Sequence, residues 1–336
     1  MLHIRDLHHV SDAAPGLVRK RTGKAFVYLD PRGRRVRAPA VLSRVKSLAI
    51  PPAWSDVWIC ADAQGHLQAT GRDARGRKQY RYHPKFREAR ESAKYEHLFD
   101  FAKALPRIRA AVAKDMAAAG LSREKVIATI VYLLEATLIR VGNADYARQN
   151  KSYGLTTMRD PHVEVNGAEM KFDFTGKSGR AWRITLKDRR IAKIVKACRE
   201  LPGQHLFQYL DSDGKRQRVG STDVNDYLRS VSGREVTAKD FRTWTGTLMA
   251  ALTLAERAPP QSETAAKRTI KACVTEVSAR LGNTVAICRK CYIHPAVIEA
   301  YSAGTLARRF KRKGRKSRDG LEPEETALLA LLKART

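Results

Sequence analysis

Between residues 163 and 186 the hydrophobic pattern switches to period two, inside a stretch otherwise patterned for helices. Val163 and Val165 alternate with polar residues, Asn166-Gly167 follows, and Met170, Phe172 and Phe174 then share one face. Trp182, Ile184 and Leu186 share a face of a third run. Side chains alternate across a strand, and Asn-Gly supplies the positive φ values of a tight hairpin. The block is therefore expected to form a three-stranded antiparallel meander. Thr175-Gly-Lys-Ser-Gly179 turns the chain between its second and third strands, which puts Lys177 at a hairpin tip.

Helical spacing dominates around this block. Val126, Ile127, Ile130, Val131, Leu134 and Leu138 make an amphipathic helix of Arg123 to Arg140, with Arg140 in its last turn before Gly142-Asn143. Before it, Pro84–Leu105 and Pro106–Ala119 read as two helices, with Gly120 as a stop. After the meander come Asp188–Glu200 and Asp223–Ser232. Thr237-Ala-Lys-Asp240 resembles a capping box and opens a helix from Ala238 to about Arg257. Arg242 is expected in its first turn, where the dipole favours an anion. Ser262–Leu281 is closed by Gly282-Asn283. Tyr292 follows on a short helical segment that Pro295 restarts, and a last amphipathic helix covers Glu324–Lys333.

Residues 1–85 have a different texture. Ala25–Leu29, Val57–Cys60, His66–Thr70 and Arg77–Tyr82 are short β-type runs, with turn chemistry at Asp30-Pro-Arg-Gly33, Gln64-Gly65 and Arg75-Gly76. A short helix is expected at Ser43–Leu48. The chain thus reads as α+β: a small N-terminal antiparallel sheet domain (1–85) and a larger, mainly α domain carrying the three-stranded sheet (86–336). In the last small-domain strand, Gln79 and Arg81 face one way and Tyr80 and Tyr82 the other. Among Arg72, Arg75, Arg77 and Lys78, that pattern suits a duplex groove, and it equally suits a tyrosine core beneath solvated charges.

Charge narrows the choice of partner. The 336 residues hold 64 Lys+Arg against 34 Asp+Glu, a formal +30, and such a field favours nucleic acid or an anionic surface. Arg308–Arg318 alone holds eight cations in eleven residues, which suits a DNA-binding tail or a solvated stretch. No run of eighteen apolar residues appears, so no membrane helix is expected. No export signal is recognisable, and five irregularly spaced cysteines fit free thiols in a reducing cytoplasm.

The candidate chemistry centres on Tyr292. A phenol is a weak nucleophile until cations or a base activate it, and a phosphodiester is the target that cations would prepare. Guanidinium forks match the charge that builds on nonbridging oxygens, and a lysine can protonate the departing oxygen. A magnesium nuclease would need clustered carboxylates, whereas the close pair Asp211-Ser-Asp213 lies in a loop. Gly176-Lys177-Ser178 ends like a nucleotide-binding loop yet joins two strands. Cys288-x-x-Cys291 lacks a second ligand pair for zinc. Neither a metal nor another cofactor is implied.

The pieces resemble the type IB DNA topoisomerases of the poxvirus and bacterial kind, over essentially the whole length. The resemblance rests on Gly71–His83, Ile139-Arg-Val-Gly-Asn143, Phe174-Thr-Gly-Lys-Ser-Gly179, Lys239-Asp-Phe-Arg-Thr-Trp244 and Cys288–Pro295, in the family's order. It implies a two-domain clamp around duplex DNA, with Tyr292 as nucleophile, Arg140 and Arg242 on the scissile phosphate and Lys177 as general acid. It implies a covalent 3′-phosphotyrosyl intermediate, with Tyr146 and Lys239 near the phosphates and Gln79, Tyr80 and Tyr82 in the groove. A chain of this kind is expected to work as a monomer, in the cytoplasm at the nucleoid. The family's histidine, nine residues before the tyrosine, is here Asn283. Asparagine can still donate to a nonbridging oxygen but cannot become cationic, and Asn283 also suits a plain helix cap after Gly282. A tyrosine recombinase is the nearest alternative, although it usually carries His-x-x-Arg where this chain has Lys239-x-x-Arg242. A non-catalytic architectural DNA binder is the other.

Overall fold

The computed structural model describes residues 6–23, 25–310 and 320–334, with the backbone alone over 90–96. The basic run beyond Phe310 lies outside the described residues. The chain packs as two units, Met1–Tyr95 and Glu96–Thr336.

The first unit is built on a five-stranded antiparallel sheet in the order β2-β1-β3-β4-β5. Its strands are β1 (Gly16–Thr22), β2 (Ala25–Leu29), β3 (Ser55–Cys60), β4 (Leu67–Arg72) and β5 (Lys78–Tyr82), with helix α1 at Pro39–Ser47. Leu17, Val45, Val57, Ile59 and Ala69 make a small core. Strand β1 was not among the expected runs, because Val-Arg-Lys-Arg has no apolar alternation. It sits beside the centre of the sheet because Arg19, only 9% exposed, donates to the carbonyls of Ile50, Pro51 and Trp54 at 3.2, 3.0 and 2.7 Å. A buried guanidinium is tolerated when its donors are satisfied.

Helix α2 (Pro84–Ala117) is continuous through Pro106, where two helices were expected. An interior proline costs about 3 kcal/mol. Phe101, Leu105, Ile108 and Val112 are buried on both sides of it, and each contributes about 1.5–3 kcal/mol. The continuous apolar stripe therefore wins.

Helix α3 (Arg123–Thr137) follows, and the chain leaves it at Leu138, whose φ of 60° is left-handed. A short α4 (Ala144–Asn150) leads to the meander β6 (Val163–Asn166), β7 (Glu169–Thr175) and β8 (Ala181–Lys187), paired in that order with Phe174 opposite Trp182. Then come α5 (Arg189–Glu200), a hairpin of β9 (Gln208–Leu210) and β10 (Arg216–Arg218), and α6 (Ser221–Ser232). Asp211 caps the turn of that hairpin, accepting from Asp213 N–H at 3.1 Å and Lys215 N–H at 2.8 Å.

The hub is α7 (Ala238–Ala255). Packed against it are α3, α6, α8 (Glu263–Leu281), α9 (Val285–Tyr292), α10 (Pro295–Ser302), α11 (Leu306–Phe310) and α12 (Pro323–Lys333). The last helix is pinned by buried Glu325, which accepts from Arg109 at 2.8 Å through both oxygens and from Trp244 Nε1 at 3.1 Å. Arg109 also reaches Glu135 at 2.5 Å.

Candidate active site

Arg140 does not lie in a helical turn. With α3 stopped at Leu138, residues 139–143 lie outside any helix or strand, with Gly142 at a φ of 103°, and this segment is fastened to the chain that follows α4. Leu155 N–H donates to Arg140 O at 2.9 Å and Thr156 N–H to Val141 O at 2.7 Å. The guanidinium is thus carried on a strap between two buried anchors, Ile139 and Leu155. Sequence periodicity ran on to Leu138 and gave no sign that a non-glycine residue would take the left-handed conformation.

Arg242 is the fifth residue of α7, just past the first turn, and is 3% exposed. It donates to the backbone oxygens of Leu138 and Leu281, the last residues before the Arg140 strap and before Gly282. Gly282 closes α8 with a φ of 62°, and Asn283 N–H donates back to Ser278 O at 3.0 Å. This completes the helix cap through the backbone and leaves the Asn283 side chain free for the site. Its Oδ1 accepts from Arg140 at 2.9 Å and from Arg242 at 2.7 Å. The backbone cap and the link to both arginines therefore coexist in one residue, and the amide NH2 is a neutral donor by its chemistry.

Neither arginine forms a salt bridge among the described residues, and buried Arg242 Nε has no hydrogen-bond partner. Burial, reinforced by the charge of Arg242, pushes the Arg140 guanidinium down to about 10. Burial lowers Arg242 as well, offset in part by Tyr292. Two guanidiniums held together in low dielectric, with neutral oxygens as their partners, leave uncompensated positive charge.

Tyr292 ends α9 half-buried, its ring 5.2 Å from the Arg242 guanidinium carbon. Its backbone sits directly on α7. The fully buried Thr247 hydroxyl lies 3.2 Å from Tyr292 O and accepts from His294 N–H at 3.2 Å. A Cβ on Gly246 would come within 2.8 Å of Tyr292 O, so only glycine admits the segment this close. Cys288, one turn before Tyr292, is buried, and burial pushes its thiol up to about 11.

Lys177 is exposed on the tight turn between β7 and β8, its ammonium 5.7 Å above the Tyr146 ring. Tyr146 itself rides on α4, whose first turn is capped by Asn143. One cavity of about 460 Å³ is lined by Arg140, Lys177, Arg242, Tyr292, Tyr146 and Lys239, together with Ser152 and Tyr153. Six of the residues singled out from sequence thus share a cavity, and Asn283 joins the two arginines beside it. Gln79, Tyr80 and Tyr82 belong to the other unit. There Tyr80 and Tyr82 stack at 6.0 Å with Tyr80 46% exposed, while Gln79 donates to Asp73 at 2.9 Å. Sequence reasoning missed Ser152, Tyr153, Gly246 and Thr247. Thr247 gave no signal, since a helical threonine can satisfy its hydroxyl on the carbonyl four residues back, as it does on Thr243 O at 2.8 Å.

Comparison with known proteins adds to this geometry. A family model described as eukaryotic DNA topoisomerase I, catalytic core, matches residues 83–317. Another, described as bacterial DNA topoisomerase IB, N-terminal domain, matches residues 25–73. The chain is 32% identical over 293 residues to a DNA topoisomerase 1B of Acanthamoeba polyphaga mimivirus, covering 85% of this chain and 87% of that protein. It is 27% identical over 167 residues to a DNA topoisomerase 1B of Vaccinia virus (strain Copenhagen), covering 47% and 51% respectively.

Proposed function

Since the chain belongs to the type IB DNA topoisomerases, we propose that its relaxation of supercoiled duplex DNA runs through the Tyr292 cavity. The family's reaction is a reversible single-strand break with a covalent 3′-phosphotyrosyl intermediate. In our reading, Tyr292 Oη gives up its proton to solvent as it attacks the scissile phosphorus, and the P–O5′ bond breaks. Lys177 Nζ gives its proton to the departing O5′, and the tyrosyl ester retains the bond energy, so that religation is the same step reversed. Arg140 and Arg242 hold the nonbridging oxygens, where charge grows in the transition state. Asn283 aims both guanidiniums through its oxygen, and its NH2 is the neutral donor where the family has histidine. Tyr146 and Lys239 contact neighbouring phosphates.

The observation that carries this assignment is the pair of arginines, Arg242 buried and Arg140 half-buried, with no carboxylate partner among the described residues, one of them over the tyrosine ring. A phosphodiester supplies the missing negative charge. The stacked, partly exposed Tyr80 and Tyr82 among cations support groove contact by β5, so that each unit contributes to the grip on DNA. We further infer a monomer acting at the nucleoid of a bacterial cytoplasm, supported by the +30 charge, the cysteines, all free, and the bacterial N-terminal domain match.

The deciding experiment is relaxation of supercoiled plasmid in EDTA by wild type and Tyr292→Phe. Wild type relaxes the plasmid and the variant binds without relaxing it. Relaxation by the variant would remove Tyr292 as the nucleophile.

A further inference from the structure

Lys177 sits on an exposed turn, whereas the arginines it must serve, Arg242 buried and Arg140 half-buried, lie on other segments. A proton donor misplaced by about 1 Å can lose about 10²-fold in rate, so the turn needs a fixed distance to the cluster. Trp182 of β8, 8% exposed, fills the space between them. Its ring lies parallel to that of Phe174, 6.2 Å between centroids with 8° between planes. A Cβ on Gly176 would come 2.7 Å from Trp182 Cδ1 and Nε1, and a Cβ on Gly282 would come 2.4 Å from Cζ2. Gly176 immediately precedes Lys177, and Gly282 immediately precedes Asn283. One indole is therefore wedged against two backbones, one bearing the lysine and the other the amide that joins both arginines. The contact is reinforced where Arg180 Nη2 donates to Ala279 O at 3.0 Å.

We propose that Trp182 is a positioning residue for the DNA cleavage step, a spacer that keeps the Lys177 turn in place against the arginine–asparagine cluster. It touches no reacting atom. The inference rests on Lys177 being the general acid, and it locates what sets that acid's distance. Removing the indole lets the turn drift, and adding a methyl at Gly176 pushes it off the ring. Either change should impair proton delivery while leaving phosphate binding in place.

The test compares single-turnover cleavage of a normal DNA strand with cleavage of one whose 5′-bridging oxygen is sulfur. A thiolate leaves without needing a proton, its conjugate acid having a pKa of about 8.5. Trp182→Ala and Gly176→Ala should each cleave the oxygen substrate about 10–10²-fold more slowly than wild type. On the sulfur substrate both should return to within a few-fold of wild type. Gly176→Ala removes no core side chain and decides the matter if Trp182→Ala fails to fold. Wild-type rates on oxygen, or an equal loss on both substrates, would overturn the spacer role. Lys177→Ala run alongside separates the two claims. If its own defect is not relieved by sulfur, the acid assignment is what fails, and the spacer loses its purpose with it.

Discussion

Arg109 and Arg242 are both folded into the α-helical unit, and they are held in opposite ways. Arg109 lies between Glu135 and Glu325, whose carboxylates outweigh the effect of burial and raise its pKa. Arg242 is more deeply buried, pairs only with neutral oxygens, and is lowered by that burial. In the first cluster the charge is complete, and its work is to fasten α12 to α2, α3 and α7. In the second no carboxylate completes the charge, and in the proposed mechanism a phosphate would supply it. One residue type is thus held with its charge compensated or uncompensated, and the proposed function makes the second kind a receptor for phosphate.

Several substitutions would break or sharpen that contrast. Arg242→Ala should slow cleavage by about 10²–10³-fold, the usual loss for one donor to a developing oxyanion, with a smaller loss of thermal stability than an Arg109 variant, because it leaves neutral oxygens rather than a carboxylate unpaired. A melting point falling as far as that of an Arg109 variant would mean the two clusters are alike. Asn283→Asp would make the active cluster resemble the structural one by placing a carboxylate on both guanidiniums. It should raise the melting temperature while cutting cleavage by about 10²-fold; unchanged cleavage would show that the site tolerates a resident anion. Arg109→Met should do the reverse. Relaxation per folded molecule should hold, while denaturant unfolding should lose stability near the low end of about 3–5 kcal/mol, because Glu325 is left buried and unpaired.

Smaller effects concern ligand and pH. Inorganic phosphate at ten times its dissociation constant should stabilise wild type by about 1.4 kcal/mol, and Arg140→Ala scarcely at all, by calorimetry. Glu325 is driven up by burial and, more strongly, held below its ordinary value by Arg109 and Trp244. A carboxyl lowered in the folded state contributes stability above its unfolded pKa of 4.5 and loses it as pH falls through the folded value. Melting temperature should therefore drop on acidification below about pH 4.5, and Glu325→Gln should flatten that slope.

What was legible in the sequence was what short-range chemistry decides. Asn166-Gly167 and the alternation after it place the meander, Gly282 closes α8, and the spacing around Lys177 puts it on a turn, all from a few adjacent residues. What was hidden depended on distant partners. Strand β1 is basic and reads as a surface loop until the carbonyls of Ile50, Pro51 and Trp54 receive Arg19. Pro106 reads as a break until the core of α2 closes over it. Arg140 was expected in the last turn of a helix and lies beyond its end, because nothing near Leu138 announces a left-handed residue. In the site, the residue types were readable from motif order, whereas the linkage of two arginines through one amide oxygen is a three-dimensional fact.

Thr247 joins the carbonyl of Tyr292 to the middle of α7, and it has a mechanical meaning. In the proposed mechanism, with a DNA end esterified to that side chain, a tug from the swivelling strand would enter the protein at a single point. It travels through the tyrosine backbone into the one rod on which seven other helices lean. The anchorage resembles a mooring ring bolted to a keel, so a Thr247→Val enzyme should first show its weakness under applied torque, in religation against load, before it shows any in a test tube at rest.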